Sequence, residues 1–543
     1  MADKVFEDLR KKEEEDLARI LSKKHGIPYV DIKKTIVEID SLKIIPETEA
    51  KNNKIAVIQS IGKKLQATVT NPENPGTKET ISRLQNENYE VSLFLISQSG
   101  FETVLGKYKD VPPFEEIKPG IVEIEKSKFE KNTTLKDVKN FISEKSAQKE
   151  IKNTTEVLSL ILEGAIAIDA SDIHIEPREN RATLRMRLDG VLHEVDTELP
   201  IDLYKLLLSR IKLLSELKLN VHDKPQDGRF TIRIKNNSDI ESRSSTLPSP
   251  YGEYIAIRIL SPKAIEISLE DLGMQNQLLS MMQSELQKPN GMILTTGPTG
   301  SGKTTTLYAC LKKISSSELK VITIEDPIEY HIKNITQTQI DPNNGYDFGN
   351  GLKSILRQDP DVILVGEIRD LETANIAMHA SLTGHLVFST LHTNNAAGTI
   401  PRLIDLGVKP NIIAPAINVA IAQRLLRKLC NECKKKYKPS KEEEENINKN
   451  LRDAQNAPKE IKLWKAVGCE RCNFTGYKGR TGIFEAFLVN DEIERLILKN
   501  PPEADIKKAA QKQGMISIYQ DGLLKVLSGI TSFEELNRVV SEE

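Results

Sequence analysis

The sequence of 543 residues lacks any run of about 20 apolar residues, the length that a helix needs to cross a bilayer. Its first residues, Met1-Ala-Asp-Lys and a Lys- and Glu-rich stretch, do not form the apolar segment of a signal peptide. Both absences argue against a chain that spans a membrane through helices. We therefore expect a cytoplasmic protein.

An excess of charge of either sign is also lacking, since 76 Lys and Arg residues stand against 78 Asp and Glu residues. Nucleic-acid-binding domains usually carry a basic excess, so we expect no nucleic-acid partner. Cysteine is scarce as well, with five residues in the chain. In a cytoplasmic protein such thiols are expected as metal ligands or buried side chains, not as disulfides.

The most informative stretch is a run of small residues between the apolar segment Met292-Ile-Leu-Thr-Thr and a helical segment. It matches G-x-x-x-x-G-K-[ST], the loop that binds nucleotide phosphates. Its glycines let backbone N–H groups converge on an anion, and the following helix N-terminus adds partial positive charge. We expect Lys303 to bind the β- and γ-phosphates of ATP and Thr304 to ligate Mg²⁺. The predicted nucleotide-binding residues are Gly297, Pro298, Thr299, Gly300, Ser301, Gly302, Lys303, Thr304 and Thr305.

Three later apolar segments each end in polar or charged residues, and strands and helices alternate over 263–429 as in a parallel sheet. Ligands bind beyond the carboxyl ends of such strands. Glu367 follows a Walker-B-like strand in which Gly366 replaces the usual Asp, and we expect it to orient or deprotonate the attacking water. Glu325 is expected to assist it or to hold the metal's water shell, and His392 to sense the γ-phosphate. The alternative for each is an ordinary polar residue at a strand end.

Two further polar residues, Asp326 and His385, belong to the same segments. Asp326 is expected, with Glu325, to hold the metal's water shell or to assist Glu367. Phosphoryl transfer also needs positive charge from outside the loop, often from an arginine. The residues before the predicted parallel sheet offer several arginines that the sequence pattern does not rank. The candidates are Arg185, Arg187, Arg210, Arg229, Arg243 and Arg258.

Four cysteines form two C-x₂-C pairs, Cys430 with Cys433 and Cys469 with Cys472, which is the spacing of a tetrahedral zinc site. Four thiolates leave no open coordination position, so we expect a structural metal. A catalytic dithiol is the alternative interpretation. Cys310 lies in the helix after the phosphate loop and is expected in the core.

Shifts in composition divide the chain into six parts. A first α/β domain is followed by a Pro- and charge-rich segment that we expect to be an extended linker. The next α/β domain contains an Asp-Gly pair between alternating runs, the pattern of a β-hairpin. The predicted bounds are 1–110 for the first domain, 111–150 for the linker, 151–262 for the second domain, 263–429 for the nucleotide-binding domain, 430–475 for the tetracysteine region and 476–543 for a helical C-terminal region.

Together these stretches resemble the secretion ATPase superfamily, and within it the hexameric motors of type II secretion and type IV pilus assembly. The resemblance covers nearly the whole chain from about residue 150. The paired C-x₂-C motif is similar to that of assembly motors, whereas retraction motors generally lack it. Besides the phosphate loop, the matching stretches are Ile324-Glu-Asp-Pro-Ile-Glu329 (aspartate box), Asp359-Pro-Asp-Val-Ile-Leu-Val-Gly-Glu-Ile-Arg369 (Walker B), Thr383-Gly-His-Leu-Val-Phe-Ser-Thr-Leu-His392-Thr (histidine box) and Ser171-Asp-Ile-His-Ile-Glu-Pro.

The resemblance implies a multidomain α/β fold with an N-terminal docking domain, a PAS-like domain and a RecA-like P-loop ATPase domain. A tetracysteine zinc insertion and a helical C-terminus complete it. Arg243 and Arg258 match the family's arginines that approach the nucleotide from the preceding domain. The implied cofactors are ATP, Mg²⁺ and Zn²⁺. The implied assembly is a homohexamer that acts on an inner-membrane platform protein and is held peripherally at the inner membrane through its partners.

Three alternatives to an assembly motor stay open at this point. One is a retraction or DNA-uptake motor of the same superfamily, which an absence of zinc would favour. Another is a scaffold that binds ATP without hydrolysing it. The third, a nucleic-acid translocase, is disfavoured by the near-neutral charge. The choice between pilus and secretion pathways is not encoded in these motifs.

Overall fold

The computed structural model describes residues 2–32, 35, 37–61, 63–87, 89–110, 120–124, 129, 133–146, 154–234, 239–451 and 461–540. The chain divides into two compact units, Met1–Ile117 and Lys118–Glu543, each with its own buried apolar residues. Within those described ranges, no helix is long and apolar enough to cross a membrane.

The first unit is a small α/β domain with a three-stranded sheet. Its elements are α1 (Ala2–His25), α2 (Ile39–Leu42), α3 (Glu47–Asn53), β1 (Ile55–Ile61), β2 (Lys64–Val69), α4 (Pro75–Asn86), β3 (Glu90–Leu95) and α5 (Gln98–Gly106). β1 and β2 are antiparallel, and β3 runs parallel to β2. Val57 and Leu65 from the sheet and Phe101 from α5 are buried in one apolar cluster, which holds the helices against the strands.

The second unit begins with a seven-stranded sheet in which strands distant in sequence are neighbours. Its elements are β4 (Ile121–Ile124), α6 (Leu135–Ser146), α7 (Thr154–Ala167), β5 (Asp172–Pro177), β6 (Arg181–Leu188), β7 (Val191–Pro200), α8 (Ile201–Leu214), β8 (Gln226–Ile234), β9 (Asp239–Ser249) and β10 (Gly252–Leu260). The strand order is β4-β8-β9-β10-β5-β6-β7. The expected hairpin at Asp189-Gly190 is present, and both residues have positive φ, as its two-residue turn requires.

Part of the segment that we expected to be an extended linker over 111–150 is folded. β4 pairs in parallel with β8, and α6 packs against α7 and β7. Val122, Val138 and Ile142 are buried, and this burial outweighs the high charge that suggested a linker. The tandem prolines at 112–113, on which that expectation rested, lie outside the described residues.

The second sheet of this unit contains β11, the strand that leads into the phosphate loop, and five further strands parallel to it. Its elements up to residue 429 are α9 (Lys263–Glu266), α10 (Asn276–Glu285), β11 (Gly291–Thr296), α11 (Lys303–Ile314), β12 (Val321–Glu325), β13 (Thr336–Gln339), α12 (Phe348–Leu356), β14 (Val362–Val365), α13 (Leu371–Leu382), β15 (Leu386–Leu391), α14 (Thr399–Asp405), α15 (Pro410–Ala416) and β16 (Ile417–Leu429). The predicted strands at β11, β12, β14 and β15 are all observed. They are buried along their length, as the continuous apolar runs indicate.

Among its described residues, the tetracysteine region contains a small sheet and one α-helix. Its elements are β17 (Lys435–Tyr437), α16 (Lys441–Leu451) and β18 (Leu463–Lys465). β17 and β18 pair antiparallel between the two C-x₂-C motifs. The acidic run 442–445 follows Lys441 at the start of α16, where carboxylates near a helix N-terminus are stabilising.

The C-terminal region differs from the predicted helical segment over 476–543, because it begins with a long strand. Its elements are β19 (Tyr477–Leu488), α17 (Asp491–Ile497), α18 (Glu503–Lys512), α19 (Ile518–Leu527) and α20 (Phe533–Val539). β19 pairs antiparallel with β16, which gives the second sheet the order β13-β12-β14-β15-β11-β16-β19. Ile483, Phe484 and Phe487 are almost fully buried, so both faces of β19 are covered and no polar alternation marks it as a strand.

A buried ionic group in α19 fixes the C-terminal helices to β19. Asp521 accepts hydrogen bonds from Lys525 Nζ at 2.6 Å, Gln275 Nε2 at 2.7 Å and the Phe484 backbone N at 2.8 Å. Asp521 and Lys525 are both almost completely buried. Such a group contributes to stability only while every partner is present.

We predict that Asp521→Ala lowers the free energy of unfolding of the second unit by about 3–5 kcal/mol, because it leaves Lys525 buried without a counter-charge. Urea unfolding followed by circular dichroism would measure the loss. Glu492→Ala, which breaks the exposed pair with Lys512, is the matched control and should cost less than about 1 kcal/mol. Equal losses for the two variants would contradict this account of Asp521.

Candidate functional site

The phosphate loop connects the end of β11 at Thr296 to the start of α11 at Lys303. Gly302 precedes α11 with a φ of 89°, a conformation that glycine adopts without strain. Lys303 Nζ donates to the carbonyl oxygens of Gly297 at 2.7 Å and Pro298 at 3.2 Å. The lysine therefore lies folded over the loop, at the place where the motif puts the phosphates.

Strand β16 lies against the phosphate loop so closely that positions 297 and 302 have no room for a side chain. A Cβ at position 302 would lie 2.8 Å from Gln423 Nε2, and one at position 297 would lie 2.6 Å from the Gln423 carbonyl oxygen. The Gln423 side chain also accepts a hydrogen bond from Thr306 at 2.8 Å. We did not predict a role for Gln423 from the sequence, since only the pairing of β16 with β11 brings it to the loop.

Glu367 and His392 come together at the carboxyl ends of β14 and β15, the two strands next to β11 on the other side. Glu367 Oε2 lies 3.3 Å from His392 Nε2, and the other carboxylate oxygen accepts a hydrogen bond from Arg369. Arg369 in turn lies 3.4 Å from Asp326 Oδ2. Arg369 therefore links the Walker B segment to the aspartate box, a role that we did not assign from the sequence.

The charge state of Glu367 follows from these neighbours. Burial by itself would raise the pKa of Glu367, but the hydrogen bond and positive charge of Arg369, together with the neighbouring His392, hold that pKa below its ordinary value. The carboxylate is thus ionised at neutral pH and able to accept a proton or a hydrogen bond. A lowered pKa also makes it a weak base, so the arrangement suits orientation of a water molecule better than full deprotonation.

Glu325 is the last residue of β12, but its side chain does not join the contacts among Glu367, His392 and Arg369. Its carboxylate is buried and accepts hydrogen bonds from Tyr308, from Thr323 at 2.6 Å and from Gln337 at 3.2 Å. Burial and the charge of Glu325 both raise the pKa of the Tyr308 hydroxyl, which therefore stays a donor. In this conformation Glu325 ties β12 to α11, and its predicted part in catalysis remains a prediction.

Five of the six arginines considered from the sequence lie on strands of the first sheet of the second unit, and Arg210 lies in α8. Arg243 in β9 donates to the Ile328 carbonyl oxygen and lies 3.4 Å from Glu329, in the segment that follows Asp326. Arg258 in β10, directly opposite Arg243, donates to Asp172 at 3.0 Å.

The other candidates have different surroundings. Arg185 pairs with Glu176, and Arg187 lies 3.3 Å from Asp172. Arg229 is exposed in β8, and Arg210 lies in α8. Arg243 thus contacts the nucleotide-binding domain directly.

His385 lies at the opposite end of the sheet from this site. It precedes β15, whereas His392 follows that strand, and its Nδ1 lies 2.9 Å from the Ala380 carbonyl oxygen. Its ring is therefore part of a turn at the amino ends of the strands. Cys310, as expected, is completely buried, and that burial raises the pKa of its thiol to about 12.

The four remaining cysteines form one cluster, with every pair of Sγ atoms within 4.8 Å. The Sγ atoms of Cys430 and Cys469 are 3.8 Å apart, as are those of Cys433 and Cys472. A tetrahedral metal with metal–sulfur bonds of about 2.3 Å holds its sulfurs roughly 3.8 Å apart. Backbone N–H groups of Gly468 and Gly476 also donate to these sulfurs at 3.3 Å, as they do to thiolates. The cluster fits a tetrahedral metal ion.

Comparison with known proteins finds relatives whose names all refer to secretion systems or pilus assembly. A family model described as type II/IV secretion system protein matches residues 147–538. The type IV pilus assembly ATPase PilB of Myxococcus xanthus is 34% identical over 96% of this chain and 91% of its own length. The type II secretion system ATPase E of Vibrio cholerae is 46% identical over 71% of this chain and 75% of its own length.

A solved structure shares the fold. The ATPase DotB of Legionella pneumophila is 21% identical, with a TM-score of 0.52, over 72% of this chain and 97% of that chain. At this identity the likeness concerns the fold alone. It agrees with the α/β multidomain class that we predicted from the sequence.

The end of β11 is joined to the segment after His392 by one side chain. The hydroxyl of Thr296 donates toward the Leu391 carbonyl oxygen at 3.0 Å and accepts from the Thr393 backbone N at 2.8 Å. The neighbouring Thr295 hydroxyl is also buried, but it has no hydrogen-bond partner among the described residues. The two threonines therefore allow a direct comparison between a buried hydroxyl with hydrogen-bond partners and one without.

We predict that Thr296→Val lowers the free energy of unfolding by about 1–3 kcal/mol, because the partly buried Thr393 N–H loses its acceptor. Thr295→Val has the same shape change but removes a hydroxyl without a partner, and it should be neutral or stabilising. Urea unfolding of both variants would measure the difference. A Thr295→Val variant that is as destabilised as Thr296→Val would contradict this prediction.

Proposed function

The chain belongs to the type II/IV secretion system protein family, and on that basis we propose that it is an ATP-hydrolysing motor that drives assembly of a type IV pilus or a type II secretion pseudopilus. One observation carries the proposal. The Lys303 loop, His392 and Glu367 stand side by side at the carboxyl ends of three adjacent strands, β11, β15 and β14.

In the proposed site the loop amides and Lys303 hold the phosphates, and Thr304 is the protein ligand of Mg²⁺. ATP with Mg²⁺ supplies a phosphoryl group and neutralises the charge that develops on its oxygens. Glu367, ionised and positioned by Arg369, orients the water that attacks. His392 contacts Glu367 at 3.3 Å and lies beside β11, so it senses whether the terminal phosphate is present.

Arg243 and Arg258 are proposed to add positive charge when the first sheet of the second unit closes on the nucleotide. In this structure both arginines have other partners. Arg243 contacts Ile328 and Glu329, and Arg258 donates to Asp172. Closure therefore exchanges these contacts for phosphate oxygens. In a homohexamer, each closing subunit would pass the movement to its neighbour and to an inner-membrane platform protein, through which the ring is held peripherally at the membrane.

Glu367→Gln tests the hydrolytic assignment. We expect phosphate release to fall by about 100-fold or more, because the neutral amide lacks the charged acceptor oxygens with which Glu367 orients the attacking water. Binding of ATP should persist, because Lys303 and the loop are unchanged. Phosphate release and nucleotide binding would be measured on the full chain with Mg²⁺.

Glu372→Gln is the matched control, since Glu372 is an exposed carboxylate that pairs with Lys353 and has no contact with Glu367 or His392 among the described residues. It should leave the rate unchanged. Undiminished hydrolysis by Glu367→Gln would reject the role of Glu367. No hydrolysis by the wild-type chain, despite tight ATP binding, would instead favour a scaffold that does not turn over.

The cysteine cluster is proposed to hold one structural zinc ion through Cys430, Cys433, Cys469 and Cys472. The sulfur spacing and the donated backbone N–H groups support this assignment. The cluster also supports an assembly motor over a retraction motor, whose relatives generally lack these pairs.

We predict one zinc per chain by elemental analysis, and a large loss of zinc together with a lower unfolding temperature in Cys472→Ser. Cys310→Ala is the control, because it removes the one cysteine outside the cluster and should leave the zinc content at one. Zinc-free wild-type protein with an unchanged unfolding temperature would contradict the assignment and would favour the retraction alternative.

A further inference from the structure

Strand β16 continues past the end of β11 and places two side chains beside the phosphate loop. The last paired residues are Thr296 and Ala422, so Gln423 and Arg424 lie next to the loop itself. Gln423 packs behind Gly302, as described above. Arg424 lies at the other end of the loop, where an added Cβ at position 297 would be 3.1 Å from its Nη1.

The guanidinium of Arg424 is held in place by backbone carbonyl groups. Nη1 donates to the Gln423 carbonyl oxygen at 3.0 Å, and Nη2 donates to that of Asn394 at 2.8 Å. Asn394 follows the histidine box, so the arginine joins that segment to β16. A guanidinium has five N–H groups, and these contacts use two of them. Three N–H groups of Arg424 have no partner in the part of the chain that the structure describes.

Arg424 is partly buried, yet no carboxylate of the described residues lies within salt-bridge distance of it. Its pKa is lowered because burial disfavours the charged form, although Glu485 on β19 partly offsets this effect. The pKa of Lys303 is lowered by its own burial and by the positive charge of Arg424, despite the opposing charge of Glu367. Two cations that repel each other thus lie beside the same residue, Gly297, and an anion between them would relieve the burial and repulsion that act on both.

We propose that Arg424 is a second cationic ligand of the nucleotide phosphates, supplied by the same chain that supplies the loop. This inference rests on the proposed function, because it concerns the same nucleotide. Arginine suits the role, since its planar donors remain charged and match phosphate oxygens. The alternative is that Arg424 only ties together the carbonyl groups of Gln423 and Asn394.

The test compares four variants of the full chain: Arg424→Gln, Arg424→Lys, Lys428→Gln and Lys303→Ala. Lys428 is an exposed cation on the same strand, so Lys428→Gln is matched in charge to Arg424→Gln. Isothermal titration calorimetry with a non-hydrolysable ATP analogue and with ADP, both with Mg²⁺, gives the affinities. Melting of nucleotide-free protein gives the structural readout.

We expect Arg424→Gln to weaken binding of the ATP analogue by about tenfold or more, and Arg424→Lys to weaken it less. Lys428→Gln should bind like wild type, and Lys303→Ala should lose binding. The melting temperature of nucleotide-free Arg424→Gln should be unchanged or higher, because removing a partly buried cation that has no carboxylate partner offsets the loss of its two hydrogen bonds to carbonyl groups. If Arg424→Gln loses more affinity for the ATP analogue than for ADP, Arg424 binds the terminal phosphate. If the two affinities fall equally, Arg424 binds the inner phosphates.

Two outcomes would overturn the inference. One is wild-type affinity in Arg424→Gln while Lys303→Ala loses binding, which leaves the proposed function intact. The other is weakened binding together with a lower melting temperature of the nucleotide-free variant, which is the result of a purely structural role. Unchanged binding in Lys303→Ala would instead reject the proposed nucleotide site itself.

Discussion

The alignment of strand ends along one edge of the parallel sheet is the constraint on which the site depends. The order β12-β14-β15-β11-β16 places the strand ends that lead to Glu325, Glu367, His392 and Lys303 in sequence along that edge, with Arg424 in the part of β16 that continues past β11. Neighbouring strands lie about 4.8 Å apart, so side chains from adjacent ends reach one another directly. The contact of Glu367 with His392, and the link between Thr296 and Thr393, follow from this spacing.

The loop also needs a rigid support behind it, and β16 with β19 provides one. Gln423 fills the space beside Gly302, and β19 covers β16 on its far side. Glu485 of β19 accepts a hydrogen bond from the Ala396 backbone N at 3.0 Å, and Asp521 fixes β19 to α19. The C-terminal helices therefore stabilise a wall of the phosphate pocket, although they lie far from it in sequence.

Local patterns were sufficient to predict the loop, the strands that end at the site and the cysteine cluster. They were not sufficient for the segment 111–150 or for β19. Charge and proline content suggested a linker, but burial of Val122 and Val138 folds part of it onto the first sheet of the second unit. β19 is buried on both faces, so its sequence has neither the alternation of a half-exposed strand nor a clear turn pattern. Glu325 was placed at the correct strand end, but its side chain turns to Tyr308.

The sequence by itself determined which chemical groups this protein has: an anion-binding loop with its lysine, ionisable residues at strand ends, and four thiols at metal-ligand spacing. These depend on short-range spacing along the chain, which a sequence records directly. The tertiary structure decided which of those groups meet and which others join them. Arg369, Gln423 and Arg424 reach the site only through strand order and register, and these are set by the burial of apolar faces across residues far apart in the chain.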